Sequence, residues 1–243
     1  MDGTQRALTE LVIANRILAN EGVVDAYGHI SVRHPTDPQR YFLARSLAPE
    51  LVGRDDLMEF RLDGTPARED KRTPYLERFI HGAIYETRPE VQAVVHAHAE
   101  DVLAFGIAGA PLKPVIHSGS FIGAEVPVWD IADKFGERTN LLVTNMAQAR
   151  DLASCLGPRN VALMRGHGFA AAARSIIEVV RMSVYLPRNA RVQFRASQLG
   201  AFKALSAGEI EARNSGYKPD APETQRAWRY WATRAGCSEL LEN

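Results

Sequence analysis

Seven histidines stand in the sequence, His29, His34, His81, His96, His98, His117 and His167, and one pair, His96-Ala97-His98, has ligand-like spacing. Residues two apart on an extended strand point to one face, so both imidazoles can reach a single divalent ion while Ala97 packs on the other side. A third donor must come from elsewhere. His167 is the best placed, because Gly166 and Gly168 on either side permit a tight turn and a close approach. Three neutral imidazoles leave coordination positions open for an oxygen-rich substrate, the arrangement of a catalytic rather than a structural site. Such a site also needs a group that moves protons. Glu77 opens a segment of helical pattern and can be a fourth ligand, a proton carrier or an ordinary N-terminal helix charge. His81, one helical turn on, can brace it. His29 and His117 are alternative proton carriers, and His117 can equally be a core histidine or one that orients a ligand. His34, beside Pro35, reads as solvated.

The elements that must position these residues follow from pattern. Thr4 is expected to cap a first helix with the apolar stripe Leu8, Leu11, Val12, Ile17 and Leu18, stopped by Gly22. HISVRH alternates before the turn-forming PTDP, and YFLA follows, which predicts a hairpin. Thr73 as cap and Pro74 as first helical residue predict a helix to about Thr87, with Glu77 in its first turn and Pro89 beyond its end. Val91 to Val95 reads as a strand and Glu100 to Phe105 as a helix. Val161 to Met164 and Phe169 to Ala173 read as strands hinged at RGHG. Ser175 with Glu178 forms a capping box for a long helix that Pro187 should kink or split. Interleaved helices and strands without repeat or linker predict one α/β domain over residues 1–243, with a C-terminal tail from about 207 to 243. In that tail Trp228 and Trp231 can cap a ring-binding pocket or pack an interface, the second being preferred.

Composition narrows the function. With 46% hydrophobic positions in 243 residues the chain can bury a substantial core. Lys plus Arg and Asp plus Glu both total 29, so the counterion-driven affinity of a nucleic-acid binder has no source. The longest apolar run, Val102 to Leu112, is too short to span a bilayer, and the N-terminus has no basic region followed by an apolar block. Cys155 and Cys237 form no metal or redox motif. The expectation is a cytoplasmic protein whose partner is a small molecule.

TPYLERFIHGAIYETRPEVQAVVHAHAEDVLAFG and, about seventy residues later, VALMRGHGFAAAA resemble the class II aldolase and adducin family. GHISVR near the N-terminus extends the likeness, which covers roughly residues 5–205. The resemblance implies a central, mainly antiparallel sheet flanked by helices. It implies that His96, His98 and His167 hold a divalent metal and that Glu77 is the acid/base that can also touch it. Adducin-like members keep the fold without the reaction, but the complete ligand set here argues for an enzyme.

The sugar-phosphate aldolases of that family hold phosphate with an Asn, a Thr-Gly turn and a Ser-Ser pair before the Glu. This chain has His29, Arg45-Ser46 and Tyr75-Leu76 at those places. Small hydroxyl donors give way to bulk and cations, a pocket suited to a planar carboxylated ring whose carboxylate Arg45 can grip bidentately. The pattern is similar to the hydroxyaromatic acid decarboxylase branch, which implies a hydroxylated aromatic or pyridine dicarboxylate as substrate, 3-hydroxy-2-methylpyridine-4,5-dicarboxylate of vitamin B6 degradation first among them. His29, Arg45, Ser46, Tyr75 and His117 are the expected substrate contacts. Manganese is favoured by an oxygen-rich chelating substrate, with zinc the other choice. The resemblance also implies a homotetramer with sites between subunits. The rival readings are an aldolase or dehydratase of an unphosphorylated hydroxy-carbonyl compound, and an interaction module without turnover.

Overall fold

The computed structural model describes residues 2–218 and 220–241. The helices are α1 (Gly3–Asn20), α2 (Arg78–Thr87), α3 (Glu100–Ala108), α4 (Ile131–Phe135), α5 (Met146–Leu156), α6 (Ile176–Leu199), α7 (Ala207–Ser215), α8 (Pro222–Arg234) and α9 (Ser238–Leu241). The strands are β1 (His29–Arg33), β2 (Arg40–Ala44), β3 (Leu57–Arg61), β4 (Ala93–Ala97), β5 (Val128–Trp129), β6 (Val161–Met164) and β7 (Gly168–Ala173). They form one sheet in the order β3-β2-β1-β4-β7-β6-β5. Every neighbouring pair is antiparallel except β5 with β6, so the expected mainly antiparallel α/β sheet is the one observed.

Helices cover both faces of this sheet, which is why β1, β4, β6 and β7 are buried along their whole length. The period of two then sorts their side chains. Ile30, Val32, Ala93, Val95, Ala97, Phe169 and Ala171 join α1, α3 and α6 in one apolar cluster. Tyr41, Leu43, Val94, Ala170 and Ala172 join α2 and α5 in the other. By the same alternation His29, Ser31 and Arg33 of β1, and His96 of β4, belong to the α2 side. Arg33 fixes the two elements together. Its buried guanidinium donates to the carbonyls of Val91, Pro38, Tyr85 and Arg88, filling acceptors at the C-terminal end of α2 where a cation also suits the helix dipole.

Several local expectations shift. Asp2, not Thr4, caps α1, its carboxylate accepting from the Gln5 N–H, so the helix starts at Gly3. Thr73 and Pro74 do not open α2. Pro74 bridges Arg45 as extended chain and the Thr73 carbonyl accepts from Ser46, which holds these residues out of a helix. α2 therefore begins at Arg78, and Glu77 is its cap position rather than part of its first turn. Ser175 caps α6 by accepting from the Glu178 N–H, but Glu178 returns its bond to Arg174, so the box closes one residue early. Pro187 does not split α6, which runs 24 residues through it.

The tail is built into the core. Trp228 and Trp231 of α8 are buried within this chain among the apolar residues of α1 and α6, so they pack the core of this chain rather than capping the ring-binding site or an interface. Glu21 at the end of α1 pairs with both Arg188 of α6 and Arg234 of α8, at 2.6 Å each. Trp228→Ala is expected to cost about 3–5 kcal/mol, the usual loss for a buried aromatic. A urea unfolding curve reads it, and a midpoint unchanged from the parent would place Trp228 outside the core.

Candidate metal centre

β4 delivers His96 to the α2 face of the sheet, and its geometry there is fixed by β7. His96 Nδ1 lies 3.0 Å from the carbonyl oxygen of Phe169, an atom that can only accept, so the proton of His96 sits on Nδ1. Nε2 is left with its lone pair free, the tautomer a metal requires. β4 ends at Ala97, and His98 lies just past it with Nε2 3.0 Å from His96 Nε2.

His167 reaches the same place from the tight turn between β6 and β7. Gly166 adopts φ +66°, a left-handed conformation that costs glycine little. Gly168 stands so close to β4 that a Cβ there would lie 2.2 Å from the Ala97 carbonyl oxygen. Gly168→Ala must therefore push β7 from β4 at the point where His167 is carried. We expect a loss of about 1–3 kcal/mol, typical of overpacking, together with weaker zinc binding in a competitive chelator titration. Unchanged stability and affinity would refute the close approach as the reason for glycine.

Glu77 arrives from the N-terminal end of α2. Its side chain does not cap the helix. Oε1 accepts from the Val143 N–H at 2.9 Å, and Oε2 lies 3.4 Å from the Nε2 atoms of both His96 and His167. Burial alone would raise its pKa, but the facing imidazoles of His96 and His167 outweigh that and hold the carboxyl well below the usual range. Burial and the neighbouring His96 and His167 lower His98 to about 4. Three imidazole nitrogens and one carboxylate oxygen thus lie within 4.8 Å of one another, a donor set that fits a divalent cation.

The remaining expected residues divide. His29, buried, lies beside the cluster, its ring 5.2 Å from His96 and 4.6 Å from Tyr75. The Tyr75 hydroxyl donates to the Leu47 carbonyl, so this residue offers the wall its ring and not its hydroxyl. Burial pushes that phenol up to about 12. Arg45 has its Nε committed to Asp56 at 2.7 Å, and Ser46 is exposed, donating its backbone N–H to Thr73. His117 is exposed at the start of a short 3-10 turn and is neither a core residue nor a member of the cluster. His81 does not brace Glu77. It is buried against β1, bonded to His29 and Ser31, and burial with the nearby His96 lowers it to about 3. His34 accepts the N–H groups of Thr36 and Asp37 as a turn residue.

Sequence reasoning missed the Val143 amide and the Phe169 carbonyl, since backbone groups carry no residue signature. It also missed the line Ser31, His81, Tyr85. Alternation on β1 and the i, i+4 spacing on α2 were the signals for it.

A helix-covered, mainly antiparallel sheet thus brings three histidines and a glutamate together as a donor set that fits a divalent cation. Residues 9–194 match the model of the Class II Aldolase and Adducin N-terminal domain, and the chain belongs to that family. It is 37% identical over 248 aligned residues to Decarboxylase tropJ of Talaromyces stipitatus, covering 93% of both chains. A 3,4-dihydroxyphthalate decarboxylase of Arthrobacter keyseri is 29% identical, with 92% of each chain covered. Among solved structures, an aldolase II superfamily protein of Pseudomonas syringae shares the fold with a TM-score of 0.80 at 19% identity, over 99% of this chain and 96% of that one. The chain is an enzyme of the decarboxylase branch of this family, which sets aside the interaction module.

Proposed function

We propose that the protein is a divalent-metal-dependent decarboxylase of an aromatic ring acid that carries a hydroxyl ortho to the departing carboxylate. The observation that carries this reading is the convergence of Glu77, His96, His98 and His167 in a chain that matches named decarboxylases over more than nine-tenths of its length. An ion held by the three histidines, manganese by preference or zinc, would act as a Lewis acid toward the paired oxygens of such a substrate. In this reading the ionised Glu77 carboxylate, whose Oε1 accepts from the Val143 N–H, takes the ring hydroxyl proton. Breaking the carbon–carbon bond releases carbon dioxide and leaves its electron pair on the ring. Glu77 then returns its proton to that carbon, and solvent restores the hydroxyl. Tyr75 and His29 supply two aromatic faces, tilted 42° to one another, for the ring. Arg45, freed from Asp56, is the residue assigned to a second carboxylate.

The dihydroxyphthalate named for one relative and the pyridine acid implied by the family resemblance share this ortho-hydroxy carboxylate edge. We place the enzyme in the cytoplasm, with both cysteines free, and no described helix is long and apolar enough to cross a membrane. We further propose a single domain and a homotetramer. Burial of the tail in the shared core supports the first. Exposed Ile107, Val192, Phe194, Leu199 and Phe202, some lining a groove of about 490 Å³, support the second.

The test is carbon dioxide release from a panel of ortho-hydroxy benzene and pyridine dicarboxylates with manganese or zinc added, beside unphosphorylated hydroxy-carbonyl substrates. Release abolished by a chelator and restored by the metal is expected. An aldehyde product without carbon dioxide would return the protein to the aldolases.

A further inference from the structure

Four buried side chains form an unbroken hydrogen-bond chain behind the site. The Tyr85 hydroxyl lies 2.8 Å from Ser31 Oγ, Ser31 Oγ lies 2.6 Å from His81 Nδ1, and His81 Nε2 lies 2.6 Å from His29 Nδ1. The fold makes this juxtaposition. His29 and Ser31 alternate onto one face of β1, and His81 and Tyr85 stand one turn apart on the face of α2 packed over it. Tyr85, Ser31 and His81 are at most 1% exposed, so each of their hydrogens must find its acceptor inside the protein, while His29, 4% exposed, ends the line beside the ligand cluster.

We infer that this chain fixes His29 with its proton on Nε2, making His29 a hydrogen-bond donor to substrate oxygen and His81, Ser31 and Tyr85 its positioning residues. The direction follows from counting hydrogens. Burial keeps the Tyr85 phenol protonated. Ser31 Oγ and the Val94 backbone N–H face that hydroxyl, and since an N–H can only donate, the phenolic hydrogen goes to Ser31. The Ser31 hydrogen is then given to His81 Nδ1, the His81 proton sits on Nε2 and is given to His29 Nδ1, and the His29 proton is on Nε2. In the reverse order Ser31 would donate to Tyr85 and the phenolic hydrogen would be buried without an acceptor, a state native interiors avoid.

The consequence separates His29 from its neighbours. His96 is fixed by Phe169 with a bare Nε2 and can bind metal, whereas a protonated Nε2 on His29 cannot. A fourth imidazole against the ligand cluster is thereby reserved for an anionic oxygen, which a donor in a dry site holds strongly. The role toward substrate rests on the ring-acid reading; the tautomer does not.

The experiment is a long-range proton–nitrogen NMR correlation on the full, zinc-loaded chain labelled with 15N-histidine, with His29 assigned through His29→Gln. A pyrrole-type Nε2 and a pyridine-type Nδ1 on His29 are expected, and the opposite pattern overturns the inference. Ser31→Ala should mix the two tautomers and lower kcat about tenfold or more while zinc content stays at parent level, with Ser31→Thr restoring both. A Ser31→Ala protein with the parent's His29 spectrum and kcat would also overturn it. The expected spectrum in a protein that decarboxylates no ring acid would leave the tautomer standing and sink the functional reading instead.

Discussion

His98→Ala is expected to lose metal and turnover together. His98 is, with His167, one of the two partly exposed members of the ligand set, with Nε2 3.0 Å from that of His96, and alanine removes one of three imidazoles without disturbing a strand, because β4 ends at Ala97. Lewis-acid stabilisation of the developing charge is worth several kcal/mol, so activity should fall by about a thousandfold or more at roughly 1.4 kcal/mol per decade. Elemental analysis after gel filtration gives the metal content and carbon dioxide evolution gives the rate. A variant that keeps stoichiometric metal and more than about a tenth of parental activity would remove His98 from the ligand set. Since the substitution leaves the Glu77 bond to Val143 in place, the fold should persist, as circular dichroism would report.

Glu77→Gln is expected to behave oppositely, keeping metal while turnover fails. The glutamine amide oxygen can still accept from the Val143 N–H, so the side chain stays placed, and the three imidazoles still converge. What disappears is the basic oxygen facing His96 and His167. General acid–base groups commonly contribute about 10²–10⁴-fold, and kcat should fall within that range with KM little changed. The metal should still co-purify, bound more weakly than in the parent. Loss of the ion from Glu77→Gln would instead make Glu77 a required ligand, and full activity would exclude it as the proton carrier. The contrast between the two variants matters more than either alone, since unfolding would abolish both properties in both proteins.

The local code of the sequence carried much of this protein. The two-residue spacing of His96 and His98, the glycines around His167 and the alternation of HISVR specify which side chains can share a face, because strand periodicity is set by the backbone and not by distant contacts. The element types along the central sheet follow from the same periodicities, whereas the full donor set of Glu77, His96, His98 and His167 was implied by the family resemblance and not by spacing alone. Boundaries were less legible. Thr73-Pro74 has the residues of a helix start, yet the pairing of Arg45 with Pro74 claims that backbone for an extended bridge, and tertiary pairing outweighs a local preference of a few tenths of a kcal/mol. Pro187 has the residue of a break, yet α6 packed against α1, α3 and β4 runs through it.

Only the tertiary structure could decide what each candidate side chain is bonded to. Arg45 is drawn to Asp56, and His117 is left at the surface at the start of its 3-10 turn. His81 lies one turn from Glu77 in sequence, yet the packing of α2 over β1 hands it to His29 and Ser31. The tautomers of His96 and His29 depend on a carbonyl in β7 and a phenol on α2, partners distant in sequence whose hydrogen-bonding roles exist only once the sheet and its helix are assembled.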